Sequence, residues 1–191
     1  EAMEYFSLDP NRKTLFVNGG SQGAATINEA IAILDDDLDE FADSWQLLHV
    51  TGMSQVIEIE EVPDARNIPT VTLKYCDRMD LAYAAADLSL CRGGASTAAE
   101  LAASGTPGVI MPYPYHSDDH QRLNAVPLEE CGAAIICKDA ADGAKNAHML
   151  RESLISLLSD SARLETMRSS AAAVARPNAA EDVAAWMLKD A

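Results

Sequence analysis

The chain has no apolar stretch approaching the roughly 20 residues that a membrane-spanning helix requires. Its first residues, Glu1-Ala2-Met3-Glu4, lack the basic and apolar regions of a signal peptide. Basic residues are scarce, with 14 Lys and Arg against 30 Asp and Glu, for a formal charge of −16. That balance excludes nucleic acid as the expected partner, because affinity for a phosphate backbone comes from clustered cations. The four cysteines, at positions 76, 91, 131 and 137, form no C-x-x-C pair and no zinc-like spacing. Buried, reduced thiols in a cytosolic protein are the expectation. Neither G-x-G-x-x-G nor Gly-Lys-Ser/Thr occurs. Their absence removes the P-loop and disfavours a Rossmann module for a nicotinamide cofactor.

What is present is ordinary for one globular domain: 191 residues, 48% hydrophobic and 23% charged. The acidic excess gathers at Asp35-Asp36-Asp37 with Asp39 and Glu40, and again over 58–64, and reads as a solvated rim. Short apolar runs without polar alternation recur at 14–18, 46–51, 70–75, 87–91, 108–112 and 133–137. Runs of this kind suit strands covered on both faces. The stretches between them, 22–34, 79–86, 97–104 and 120–130, are long enough for crossover helices. The fold class is therefore α/β, a doubly wound, mostly parallel sheet of about six strands flanked by helices. From Ala147 onward the pattern is helical only, with a break at Arg176-Pro177 and a fresh start at Asn178, paired with Glu181 as a capping box. Val183, Trp186 and Met187 form a stripe that either joins the core or docks on a neighbouring domain. Residues 138–145, rich in Asp, Ala and Gly, read as weakly structured.

Three clusters could carry chemistry. Asn18-Gly19-Gly20-Ser21-Gln22-Gly23 follows the first strand and precedes a helix, either as a phosphate-binding turn or as a tight turn capped by Ser21. Cys91-Arg92-Gly93-Gly94-Ala95-Ser96-Thr97 repeats that arrangement. Unpaired amides and the helix dipole favour an anion there, and Arg92 could fork onto phosphate oxygens. Glu100 has two readings: the partner of Thr97 in a T-x-x-E capping box, or a carboxylate accepting paired hydrogen bonds from a diol such as a ribose. The third cluster runs from Tyr113 to Gln121 and belongs at the same sheet edge. Its His116, Asp118, Asp119 and His120 do not make the H-E-x-x-H pattern of a helical metal pair. Gln121 and Asn124 could read hydroxyl or acetamido groups.

Taken in order, Gly19 to Ala24, Tyr75-Cys76-Asp77-Arg78-Met79, Cys91 to Thr97 with Glu100, Pro112-Tyr113-Pro114, and Asp119-His120-Gln121 with Asn124-Ala125 resemble the donor domain of the MurG family of GT-B glycosyltransferases. These inverting enzymes transfer N-acetylglucosamine to the undecaprenyl-linked muramyl-pentapeptide of peptidoglycan synthesis, converting lipid I to lipid II. The resemblance implies that Glu100 holds the ribose of UDP and that the backbone at Cys76, with Met79, receives the uracil. Ser21, beside Gln22, and the amides of Ala95, Ser96 and Thr97 would hold the diphosphate, with Arg92 adding charge, and His120 and Gln121 would contact the sugar. His120 departs from the commoner pattern, in which another amide stands there. No Asp-x-Asp element lies near the glycine turns, and no cofactor is implied.

The resemblance further implies that the chain, which begins at Glu1 without an initiator methionine, is the carboxy-terminal half of a two-domain enzyme. The acceptor site, the membrane-contacting patch and the general base would lie in the other half, so no catalytic residue is expected here. The complete protein would be peripheral on the cytoplasmic face of the plasma membrane. Two alternatives stay open at this point: a stand-alone donor subunit of a split glycosyltransferase, and half of a UDP-sugar epimerase.

Overall fold

Strands buried on both faces need apolar residues pointing both ways, and the six apolar runs supply them. The computed structural model describes residues 1–20, 22–53, 67–115 and 118–189. The runs form β1 (Lys13–Asn18), β2 (Trp45–Val50), β3 (Thr70–Leu73), β4 (Leu88–Cys91), β5 (Gly108–Ile110) and β6 (Ala134–Ile136). All pair in parallel, in the order β3-β2-β1-β4-β5-β6. Along β1 the side chains alternate between two cores. Leu15 and Val17 pack with α2 (Ala25–Ile33), α3 (Asp35–Asp39) and α7 (Gly143–Ser159) on one face. Phe16 packs with α4 (Met79–Ala85), α5 (Ala95–Ser104) and α6 (His120–Glu130) on the other. The sheet is thus doubly wound.

The remaining helices are α1 (Ala2–Tyr5), α8 (Ser161–Ala171) and α9 (Ala179–Lys189). No helix among the described residues is long and apolar enough to cross a membrane. Cys76 and Cys91 are buried, whereas Cys131 and Cys137 are only partly covered, a departure from the expectation for all four. Of the acidic rim, Asp37 pairs with Arg151 at 3.0 Å, and Asp39 accepts from the Ile68 amide at 2.8 Å and from Asn67 at 3.0 Å. Ser21, the acidic run 58–64 and His116 lie outside the described residues.

Three expectations are corrected. First, α2 begins at Ala25 rather than at residue 22, because Gly20 and Gly23 hold φ of +84° and +80°, in the left-handed region that ends helical continuity. Second, residues 138–145 are ordered by their acids: Asp139 is buried, and Asp142 caps α7 by accepting from the Lys145 amide at 2.9 Å. Third, the stripe on α9 is not core. Val183, Trp186, Met187 and Leu188 are 56 to 76% exposed.

Candidate functional site

Strand order reverses direction between β1 and β4, and a ligand crevice opens outside the carboxyl ends at such a point. Asn18 and Cys91 are registered neighbours there, so the two glycine turns leave the sheet side by side. In the first turn, Asn18 Oδ1 accepts from the Gly20 amide at 2.8 Å. A Cβ on Gly19 would lie 2.4 Å from the Ala24 nitrogen, so only glycine lets the turn close onto the start of α2. Asn28 anchors that helix, donating to the Thr51 carbonyl at 3.0 Å and meeting His49 Nε2 at 2.9 Å. Gln22 is exposed on the turn.

The helices that begin nearest the crevice are left without side-chain caps. Ala24, Arg78, Gly94 and Asp119 occupy the cap positions of α2, α4, α5 and α6, and none makes a capping hydrogen bond through its side chain. Away from it, Asp142 and Asp160 cap α7 and α8 in the ordinary way. On α5 the first helical bond runs from the Ala98 amide to the Gly94 carbonyl at 2.9 Å. The amides of Ala95, Ser96 and Thr97 precede it and point outward from the helix start.

Glu100 is not part of a capping box, since Gly94, not Thr97, is the cap. Thr97 and Glu100 stand one turn apart on the face of α5 toward α4, where the buried Tyr83 hydroxyl lies near both without a hydrogen bond of standard geometry. Burial raises the Glu100 carboxyl above its ordinary value, partly offset by the Tyr83 hydroxyl. A half-buried carboxylate with no cation partner among the described residues, one turn from the amides at the helix start, is equipped to accept hydrogen bonds from a neutral polyol.

Arg92 does not project toward an anion as expected. It is 8% exposed, and its Nη1 donates to Asp139 Oδ2 at 2.6 Å and to the Met111 carbonyl at 3.0 Å. Its Nη2 donates to Thr26 Oγ1 at 3.0 Å. The guanidinium also sits 5.7 Å from the centroid of the Tyr113 ring. Sequence reasoning missed Asp139, whose partner is 47 positions away.

The third cluster closes the site from the other side. A Cβ on Gly93 would fall 2.2 Å from the Gln121 carbonyl oxygen, so the second glycine turn and the start of α6 are in backbone contact. Asn124 Nδ2 donates to the Gly93 carbonyl at 3.1 Å, and Gln121 Oε1 accepts from the Tyr113 amide at 2.9 Å. Asn124 is thereby a structural tie, and the Gln121 carboxamide is oriented by the Tyr113 amide. His120 Nδ1 meets Asp118 Oδ1 at 2.8 Å, which holds the Asp118 carboxyl below its usual range and fixes the orientation of the ring. Cys76 is buried in the segment between β3 and α4, burial raising its thiol, and Met79 is half-buried one turn from Tyr83. Among the described residues, no group of three or more His, Cys, Asp or Glu is placed to hold a metal ion.

The sequence pattern of the glycosyltransferase family 28 C-terminal domain matches residues 14–183. The chain belongs to that family. All the described positions of the crevice fall inside the family 28 match. Among curated proteins, the chain is 45% identical over 187 residues to the UDP-N-acetylglucosamine--N-acetylmuramyl-(pentapeptide) pyrophosphoryl-undecaprenol N-acetylglucosamine transferase of Acidothermus cellulolyticus, covering 96% of the chain and 49% of that protein. It is 39% identical to the protein of the same name from Rhodococcus erythropolis, covering 98% of the chain and 46% of the relative. The crystal structure of Acinetobacter baumannii MurG superposes with a TM-score of 0.78 at 30% identity, covering 98% of this chain and 53% of that one. This family 28 domain therefore spans about half the length of the relatives it matches, and its sheet is the GT-B arrangement expected from the sequence.

Proposed function

We propose that this family 28 domain is the UDP-N-acetylglucosamine-binding half of an inverting glycosyltransferase that converts lipid I to lipid II in peptidoglycan synthesis. The observation that carries the reading is the start of α5: a glycine cap, three outward amides, and Glu100 in the next turn with no cation partner among the described residues. The amides of Ala95, Ser96 and Thr97, with Ser21 and Gln22 of the first turn, take the diphosphate. Glu100 takes the ribose hydroxyls, the backbone at Cys76 with Met79 takes the uracil, and His120 and Gln121 take the sugar. Arg92 acts from beneath the turn. As the glycosidic bond breaks, charge develops on the departing UDP, and donors already aimed at that position stabilise it without rearranging.

The general base and the lipid-linked acceptor belong to an amino-terminal domain, against which the apolar face of α9 docks. The complete protein works on the cytoplasmic face of the membrane, and this chain alone binds donor weakly and transfers nothing. A calorimetric titration with UDP, UDP-N-acetylglucosamine and NAD tests the reading, repeated on Glu100→Ala. The uridine ligands bind, NAD does not, and the substitution weakens UDP by about 1 to 3 kcal/mol. A folded variant that keeps full affinity would remove Glu100 from the site.

A further inference from the structure

Beneath the crevice lies a buried ion pair, Arg92 with Asp139, of which the proposed function uses only the arginine. Asp139 is fully covered and accepts four hydrogen bonds. Its Oδ2 takes Arg92 Nη1 at 2.6 Å and Thr26 Oγ1 at 2.8 Å, and its Oδ1 takes Asn146 Nδ2 and the Ala141 amide, both at 2.7 Å. Arg92 reaches on to the carbonyls of Met111 at 3.0 Å and Pro112 at 3.4 Å, where β5 ends. Four segments meet at this pair: the first turn of α2 through Thr26, the second glycine turn through Arg92, the end of β5, and the first turn of α7 through Asn146.

A buried pair of this kind adds little net stability compared with apolar side chains of the same size, because desolvating the two charges offsets their attraction. It does fix relative position. Thr26 lies in the first turn after one glycine turn, and Arg92 immediately precedes the other, so the clamp sets how far apart the two sets of backbone donors stand. A diphosphate spans that gap, and hydrogen bonds to a charged oxygen weaken steeply once their geometry is lost. We infer that Asp139 and Arg92 are positioning residues, which hold the two glycine turns at the separation a diphosphate needs and so make affinity depend on the phosphates rather than on the nucleoside. This rests on the uridine-diphosphate reading.

The test is a set of NMR titrations of the chain with uridine, UMP and UDP, run on the unsubstituted protein, Asp139→Asn, Thr26→Val, and the double variant Arg92→Met with Asp139→Leu. The unsubstituted chain binds UDP more tightly than uridine. Asp139→Asn weakens UDP by about tenfold or more while uridine stays within about twofold. Thr26→Val shifts the ratio in the same direction with the ion pair intact. The double variant separates positioning from support, since it replaces the pair by apolar bulk: it folds with near-unchanged stability, yet loses the preference for UDP. A double variant that keeps the UDP preference, or folded single variants in which all three ligands weaken alike, overturns the inference alone. Failure of the unsubstituted chain to bind UDP overturns the functional reading and the inference with it. Should Asp139→Asn not fold, Thr26→Val and the double variant decide.

Discussion

Glu100 and Asp139 are carboxylates with opposite electrostatic settings, and pH separates them. Burial raises the Glu100 carboxyl, so the folded state binds its proton more readily than the unfolded chain does, and the ionised form is held at a cost that falls as pH falls. Glu100→Gln is therefore expected to raise the melting temperature at neutral pH while lowering UDP affinity, a combination that a purely structural glutamate would not give. Affinity of the unsubstituted chain for UDP should decline with acid at a higher pH than an ordinary glutamate would impose, as a titration series from pH 7 to pH 4 would reveal. At Asp139 burial also works to raise the carboxyl, but the hydrogen bonds from Asn146, Thr26, Arg92 and the Ala141 amide outweigh it and hold it below its ordinary value. Its contribution is complete above the unfolded-state value and is lost as pH falls through the lowered folded one. Removing it as Asp139→Ala leaves a buried guanidinium unpaired and should destabilise the fold by about 3 to 5 kcal/mol, measured as a shift in the urea midpoint at pH 7.

At the scale of elements, the strands were legible to within two residues at each end, because a strand buried on both faces must be apolar throughout and glycine, proline or aspartate bounds it. Helix starts were harder. Thr97 with Glu100 has the letters of a capping box, yet the helix begins two residues earlier at Ala95 with Gly94 as cap. The letters of the motif do not by themselves fix where a helix starts, and departures from local rules are expected to gather at functional sites. The Arg92 clamp was illegible for a different reason: its members come from four separate segments, and neither composition nor periodicity marks a pairing across 47 residues. The backbone contact between the second glycine turn and α6 makes its own prediction. Gly93→Ala places a methyl 2.2 Å from the Gln121 carbonyl, and backbone there cannot yield as a side chain would. α6 must move, taking His120 and Gln121 with it. The variant is expected to lose the added affinity of UDP-N-acetylglucosamine over UDP while binding of uridine persists, read from parallel titrations with the three ligands.

Across the whole molecule, two tryptophans report on two different surfaces. Trp45 is 1% exposed and donates through Nε1 to the Leu158 carbonyl at 3.1 Å, whereas Trp186 is 67% exposed on α9 with Val183, Met187 and Leu188 bare around it. A contiguous apolar face on a chain carrying a formal charge of −16 is exposed to water at a free-energy penalty that burial against a partner would remove. Acrylamide should quench the two fluorophores very differently, giving a curved Stern–Volmer plot with one accessible and one protected population; Trp186→Phe should leave the protected one alone. Mixing the chain with the separately expressed amino-terminal half of the Acidothermus cellulolyticus relative should then lower the accessible fraction and shift its emission to the blue, if α9 is the element that joins the halves. An accessible population unchanged by that half, under conditions where sedimentation shows the two associated, would place the joint elsewhere and leave the face of α9 to another partner.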